Sequence, residues 1–536
     1  MGVVNVLSAI TPAMALRLRA LERYSPLEVQ RGSRLAATLA GFALLLLAAA
    51  LWRRKRVAWL LTLLVLAASL VAHILKGFDV IEAVLAAVLI LLLLVLRSDF
   101  HARSDPPSIR QAFWTLVAAL VFTLGYGTAG FFLLDRHFRF SFALPAAARQ
   151  TVIMFTQYYD PGLEPVTGFG RYFADSIYIV AVATTGYALL LLIRPVLAPR
   201  RASEADRAKA ALIALEYGRT SLTPFALLDD KLYFFSPRGS MVPYVVKGRA
   251  ALALGDPVGP SEDFRPTIAA FKAFCALNDW FAVFYQVLPD FLIQYRSLGF
   301  ESIQIGQEAI IGLDTFSLEG GERKNIRTSV NRMKRLGYSA EVLEPPHSGA
   351  IIQELKDISD EWLSARGTVE MRFSVGWFDR EYLQRGPLLI VLNPERQIEA
   401  FANILVLEKA QLVTADLMRH RARADKGQMD FLFASMPEWA KARGFQRFSF
   451  GLSGLSGIGQ HPEDPVIERA LGFAFLHMNQ LYNFKGLHAY KAKFGPVWLP
   501  RYLIYPDFAS LPAGGAAFIR ANTGDDLLGR FLFRPR

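Results

Sequence analysis

The sequence predicts a multi-span α-helical membrane domain followed by a mixed α/β half, and three observations carry that prediction. Hydrophobic residues make up 53% of the 536 residues, and the excess is concentrated before Arg200, in runs near the roughly 20 residues that a spanning helix needs. After Ala208 the pattern changes to short strands between amphipathic helices. Within that half the order strand, glycine-containing loop, helix, strand occurs twice. This predicts two similar α/β domains in tandem.

In chain order, residues 1–34 read as an N-terminal tail and 35–196 as a transmembrane domain. The expected spans are 35–52, 57–75, 80–96, 112–134 and 172–193. A weaker run, 142–155, contains Pro145 and Arg149 and would be re-entrant or supply a sixth span. Arg53, Arg54, Lys55 and Arg56 mark the first loop as cytoplasmic, and Arg194, Arg200 and Arg201 follow the last span. Everything after Pro195 is then expected in the cytoplasm, although Arg17, Arg19, Arg23, Arg31 and Arg34 argue the other way. Residues 3–16 are apolar without a basic segment ahead of them, so no cleavable signal peptide is expected. His73, Glu82 and Asp175 are ionisable residues in or near spans, where function is the default reading, and an interfacial position fits them equally. No paired charges or matched broken helices stand out. The half reads as an anchor that presents lipid to a cytoplasmic enzyme.

Residues 199–206 form a linker. Strands are expected at 233–235, 241–246 and 249–254, then a loop at 255–260, a helix at 264–277 and a strand at 280–287. The run 319–337 reads as a basic helix that stops at Gly337. Lys324, Arg327, Asn331 and Arg335 share one face of it, opposite Ile326, Val330 and Met333. Such a stripe suits a phosphate backbone, and a solvated face accounts for it as well. After a helix at 351–363 and a polar, aromatic loop at 366–378 come strands at 388–392, 399–407 and 411–417. Arg419, Arg421, Arg423, Lys426 and Gly427 then make a basic loop before a helix at 429–443 and a strand at 448–450. The start of that helix offers free N–H groups to an anion.

A formal charge of +12 points to an anionic partner, nucleic acid or anionic lipid. Cys275 is the only cysteine, which excludes an intrachain disulfide and a multi-cysteine zinc site; its apolar helical surroundings make it a core residue. There is no phosphate-binding P-loop, no G-x-G-x-x-G, no G-x-S-x-G and no H-E-x-x-H. His461, His477 and His488 lack metal spacing, so neither metal nor cofactor is expected. The glycine- and serine-rich run 451–457 reads as a backbone-lined pocket. What remains is Asp416 and Arg419 at a strand end, and Lys491 and Lys493 among aromatics. These groups could orient an activated acyl donor and stabilise an oxyanion. A structural ion pair between Asp416 and Arg419 is as good a reading. Glu370, Arg372 and Phe373 in the polar loop are candidates for the pocket of the transferred group.

Five ordered segments carry a resemblance: ERKNIRTSVNRMKRLGY (322–338), DLMR (416–419), MDFLF (429–433), FGLSGLSG (450–457) and YNFKGLHAYKAKF (482–494). They resemble the bacterial aminoacyl-phosphatidylglycerol synthases, the MprF-type lysyl- and alanyl-phosphatidylglycerol synthases, over most of the chain after Arg201. The resemblance implies tandem acetyltransferase-like (GNAT) domains, a first at 205–340 and a second, catalytic one at 341–536. It implies transfer of lysine or alanine from aminoacyl-tRNA to phosphatidylglycerol in the bacterial inner membrane. The product has a less negative headgroup, the basis of resistance to cationic antimicrobial peptides. No ATP is needed, because the donor is already an activated ester. The family's D-x-x-R matches Asp416 and Arg419; its lysine falls on Lys491 or Lys493, and Glu468 is a candidate for its glutamate. Lys324, Arg327, Arg335, Arg421 and Lys426 would meet the tRNA. Longer members carry a further multi-span flippase domain, so flipping of the product is not expected here. Three other readings stay open: an aminoacyl-tRNA-dependent transferase with another lipid or envelope precursor as acceptor, a lipid transporter with a regulatory soluble half, and an acyl-coenzyme A transferase using loop 421–427.

Overall fold

The computed structural model describes residues 201–321, 323–423, 425–458 and 484–523, and before them 44, 47–48, 51–52, 54–77, 80–100, 102, 106–133, 143–157, 167 and 186–187. The chain divides into two compact units, Met1–Leu197 with Ala276–Trp280, and Ala198–Cys275 with Phe281–Arg536.

In the first unit α1 (Arg56–Gly77) packs on α2 (Val80–Val95), and α3 (Pro106–Leu133) on α4 (Leu144–Gln157). The Trp59 indole N–H donates to the Leu93 carbonyl at 2.8 Å, tying α1 to α2. Gly127 lets α3 approach α4: a Cβ there would lie 2.4 Å from Thr151 Cγ2. The apolar stretch Ile81–Asp99, 19 residues with a mean hydropathy of 2.5, is the one helix among the described residues long and apolar enough to cross a bilayer. Of the five expected spans, 57–75 falls within α1 and residues 112–133 of the fourth within α3, while most of 35–52 and nearly all of 172–193, with Asp175, lie outside the described residues. His73 is buried and Glu82 half-buried.

The second unit opens with α5 (Glu204–Tyr217). Then follow β1 (Leu232–Phe235), β2 (Met241–Lys247), β3 (Ala250–Leu254), α6 (Phe264–Leu277), β4 (Phe281–Val287), α7 (Leu292–Ser297) and β5 (Glu301–Gly312). Next are α8 (Lys324–Arg335), β6 (Ser339–Leu343), α9 (Gly349–Arg366), α10 (Arg380–Leu383), β7 (Leu388–Leu392), β8 (Ile398–Leu407), β9 (Leu412–Ala415) and β10 (Arg419–His420). The chain closes with α11 (Gln428–Ala442), β11 (Arg447–Gly454), α12 (Phe484–Ala492), β12 (Val497–Tyr505) and α13 (Leu511–Thr523).

Eleven strands form one continuous path, β1-β2-β3-β4-β12-β5-β11-β9-β8-β7-β6, and β10 pairs on β8. Two neighbouring pairs are parallel, β3 with β4 and β9 with β11. Parallel strands need a crossover, and here the crossovers contain α6 and α11, the helices expected from the repeated strand-loop-helix-strand order. β12 lies between β4 and β5, antiparallel to both. The sheet therefore runs without a break through the expected boundary at 340/341.

β3 and β7 are buried along their whole length on both faces of the sheet, which is why they read as continuous apolar runs. On β7, Leu388, Ile390 and Leu392 join one core with α9 and α13. Leu389 and Val391 join another with α8 and α11. Each fully buried Leu or Phe contributes roughly 1.5–3 kcal/mol. Ile326, Val330 and Met333 of α8 sit in the second core, as their spacing predicts. Cys275 is fully buried on α6.

Candidate active site

β9 and β11 run parallel, with Thr414 opposite Ser449. Two residues further on, Asp416 has left β9, and Gly451 (φ +74) sits in a register shift that bulges β11 between Ser449 and Leu452. Polar groups thus gather at the carboxyl ends of the two parallel strands, where α/β sheets place their ligands.

Asp416 does not pair with Arg419. Its Oδ2 accepts from the Gly376 N–H at 2.8 Å and from the Tyr382 hydroxyl at 2.8 Å. Only glycine fits at 376, because a Cβ there would stand 2.1 Å from that oxygen and 2.5 Å from Tyr382 Cε1. Loss of solvation pushes the Asp416 carboxyl up to about 6, against the opposing effect of its two hydrogen bonds. Tyr382 also lines an apolar cavity of about 410 Å³ between α5 and β8, walled by Ala211, Leu215, Leu227, Ile404 and Val406, with Arg385 and Lys409 also on its lining.

Arg419 is almost fully buried and forms a two-pronged pair with Glu370: Nη1 to Oε1 at 2.8 Å and Nη2 to Oε2 at 2.6 Å. Its Nη1 also bonds Ser359 Oγ, and the guanidinium lies 5.4 Å from the Trp362 ring centre. The pair closes the polar loop 366–378, since Glu370 also accepts from the Phe378 N–H at 3.1 Å. Arg419 is therefore committed to the scaffold around Asp416, where stabilising an oxyanion or pairing with Asp416 was the expectation. Glu370 is the partner of Arg419. Arg372 stacks over Trp377 at 4.5 Å, and Phe373 is fully buried at φ +68 with its N–H on Asp230.

The two candidate lysines part company. Lys491 is 5% exposed, and its ammonium donates to the carbonyls of Gly451 (3.1 Å) and Leu452 (2.9 Å), which the bulge turns toward it. Burial lowers its pKa to about 8, and the carboxylate of Glu308 opposes that shift. Lys493 is exposed over the Tyr490 ring at 5.0 Å. Glu308 pairs with Leu452 across the sheet and is buried among Arg501 and the hydroxyls of Ser221 and Ser449. Burial pushes its carboxyl up, and these partners outweigh that and hold it below the usual range.

Lys324, Arg335 and Lys426 are exposed. Arg327 is tied to the carbonyls of Leu318 and Gly320 at 2.9 Å each. Arg421 faces Glu354 and Glu361 and donates to the Ile398 carbonyl at 3.0 Å. Glu468, His461 and His477 lie outside the described residues. His488 stacks on Trp498 at 4.1 Å. Among the described residues no group of three or more His, Cys, Asp or Glu is placed to hold a metal. Gly376, Tyr382, Glu308 and Arg501 escaped the sequence reading; the isolated charges of Glu308 and Arg501 within otherwise strand-like stretches were the available signal.

The other parallel pair repeats the arrangement. Asp256 lies two residues past Leu254, the last register partner of β4. It accepts from the Leu288 N–H at 2.9 Å and from the Tyr295 hydroxyl at 3.1 Å. Burial pushes it up to about 7.

The chain was compared with known families, curated proteins and solved structures. Residues 211–505 match the family model "Phosphatidylglycerol lysyltransferase, C-terminal", and residues 4–160 match "Transmembrane region of lysyl-tRNA synthetase". A phosphatidylglycerol lysyltransferase from Bacillus subtilis is 29% identical over 473 residues, 87% of this chain and 52% of the relative. One from Staphylococcus xylosus is 35% identical over 297 residues, 55% of this chain and 35% of the relative. The chain thus spans about half the length of these relatives or less. The solved structure of L-PGS from Bacillus licheniformis superposes with a TM-score of 0.53 at 33% identity, covering 60% of this chain and 98% of that one.

Proposed function

This chain belongs to the phosphatidylglycerol lysyltransferase family, and from that premise we propose that its soluble half moves an aminoacyl group, lysyl foremost, from aminoacyl-tRNA to a glycerol hydroxyl of phosphatidylglycerol. The proposal places the soluble half on the cytoplasmic side of the bacterial inner membrane, below a multi-pass domain. It reads the continuous sheet as two acetyltransferase-like lobes that share strands. The observation that carries it is the contact between Asp416 and Tyr382, because Tyr382 is also a wall of the apolar cavity. A lipid with its acyl chain in that cavity brings its headgroup toward the one carboxylate at the end of β9.

In the proposed step the glycerol hydroxyl attacks the ester carbonyl of the aminoacyl-tRNA, and Asp416 takes the hydroxyl proton. A carboxyl that titrates near 6 is largely ionised at neutral pH and still basic enough to accept it. The new carbon–oxygen bond forms as the bond to the tRNA ribose breaks, and the ribose oxygen leaves with a proton. Lys491 supplies positive charge for the developing oxyanion. Arg419 and Glu370 position loop 366–378, and with it the Gly376 N–H on Asp416. Lys324, Arg335 and Lys426 are the exposed cations available to the tRNA backbone.

The test uses membranes containing the full chain, phosphatidylglycerol, and tRNA charged in turn with labelled lysine, alanine and arginine. Ribonuclease-sensitive label in the lipid phase is the expected result, and the charged tRNA that delivers it names the amino acid. Intact protein and lipid with no label from any charged tRNA would overturn the reading.

A further inference from the structure

We infer that the exposed apolar face of α5 is a membrane-contact surface, seated on a lipid bilayer so that the apolar cavity opens into lipid. Ala205, Ala208, Ala211, Leu212 and Leu215 follow helical spacing along one side of α5, and all are exposed, Leu212 and Leu215 at 69% each. The opposite side, Ala210, Ile213 and Ala214, is buried with Met241. A helix facing water carries charged or polar residues on its outer side, and here none interrupts the stripe between Glu204 and Glu216. The charges beside the stripe are held elsewhere: Arg207 by Asp229 at 2.9 Å, Glu216 by Lys409, and Lys209 over the Phe235 ring at 4.3 Å.

Two further observations choose the occupant. Ala211 and Leu215 belong both to the exposed side and to the cavity lining, so whatever covers the stripe also meets the cavity mouth. Arg385 and Lys409 lie on the same lining with Glu408, Lys409 paired with Glu216 and Arg385 3.9 Å from Asp229, so charge at the mouth is balanced and the apolar surface is what it offers. An exposed apolar stripe on a helix that also borders an apolar cavity is the composition of a helix lying in a lipid interface. In sequence, α5 is the first described helix after the region matching a transmembrane family. The occupancy of the cavity by an acyl chain rests on the proposed function; the seating of α5 does not.

The buried Cys275 is the only cysteine, so Leu212→Cys, Leu215→Cys and, as a control on the exposed side of α9, Gln353→Cys can each be labelled singly. The full chain would carry an environment-sensitive dye in vesicles of phosphatidylglycerol and phosphatidylcholine. Dyes at 212 and 215 are expected to shift to the blue and to be quenched by nitroxides on the lipid chains, with neither effect at 353. Dyes at 212 and 215 as wet as the one at 353 would overturn the inference. So would a blue shift that vanishes when the protein is diluted in lipid, which would assign the face to a second copy. The variant Ala208→Asp/Leu212→Asp, at two stripe positions outside the cavity lining, is expected to slow transfer to long-chain phosphatidylglycerol in vesicles about tenfold and to leave transfer to short-chain dispersed lipid unchanged. Equal loss with both acceptors would also overturn it. If no acceptor is labelled by the parent protein, the proposed function fails while the depth measurement still decides the seating.

Discussion

The hydroxyl of Tyr382 and the carboxylate of Asp416 are joined by a 2.8 Å hydrogen bond at the inner wall of the apolar cavity. The donor favours the charged carboxylate, so Tyr382→Phe is expected to raise the Asp416 pKa above its value of about 6. The acid limb of the transfer rate should move to higher pH, with activity at pH 6.5 falling about three- to tenfold and little change at pH 8.5. A full pH profile of lipid labelling checks this.

Asp416 is ionised at a cost to the fold. Its carboxyl titrates near 6 in the folded protein against an ordinary value of 3.8. A raised carboxyl keeps its stability contribution below the unfolded value and loses it as pH rises through the folded one, here between about 4 and about 6. The gap is worth about 3 kcal/mol at most. Asp416→Asn is therefore expected to abolish transfer and to raise the melting temperature of the detergent-solubilised chain at pH 7.5, with a smaller gain at pH 4.5.

Arg419 and Glu370 are expected to act as one unit. Breaking a largely buried, two-pronged pair leaves the remaining charge stranded, so Arg419→Lys and Glu370→Gln should each cost about 2–4 kcal/mol. A double-mutant cycle should give a coupling energy above about 1 kcal/mol. Denaturant titration of the two single variants and the double variant measures it.

Burial separates Lys491 from Lys493. Lys491→Met is expected to lower transfer by at least about a hundredfold, and Lys493→Met to change it less than about threefold. Glu308→Gln removes the charge that raises the Lys491 pKa, so it should fall below about 8, and the alkaline limb of the rate profile should move to lower pH. Transfer rates across pH 6 to 9.5 check both.

The parts of this architecture that obey local periodicity were legible in the chain. Ile326, Val330 and Met333 declared the buried face of α8, and the two crossover helices followed from strand-loop-helix-strand order. Asp416 was visible because a charge at a strand end is rare enough to notice. Its partners were not. Gly376 and Tyr382 reach it from 40 and 34 residues away, and no local rule selects them. Arg419 was read as an oxyanion-stabilising group or as the ion-pair partner of Asp416, because Glu370, which it does pair with, lies 49 residues away in an irregular loop. β5 and β12 went unread because Glu308 and Arg501 interrupt their apolar pattern, and each makes sense only with the other present.

The position of β12 has a consequence for how the chain is made. Until β12 is made, β4 and β5 each present an unpaired edge. Arg501 arrives with β12, so Glu308 waits without its guanidinium until the chain has grown 193 residues beyond it. The sheet can be sealed only by a strand that enters between two made well before it. The nascent chain therefore passes through a long interval in which its central seam is open, and an anchor that holds each copy at the bilayer would keep those seams from meeting one another.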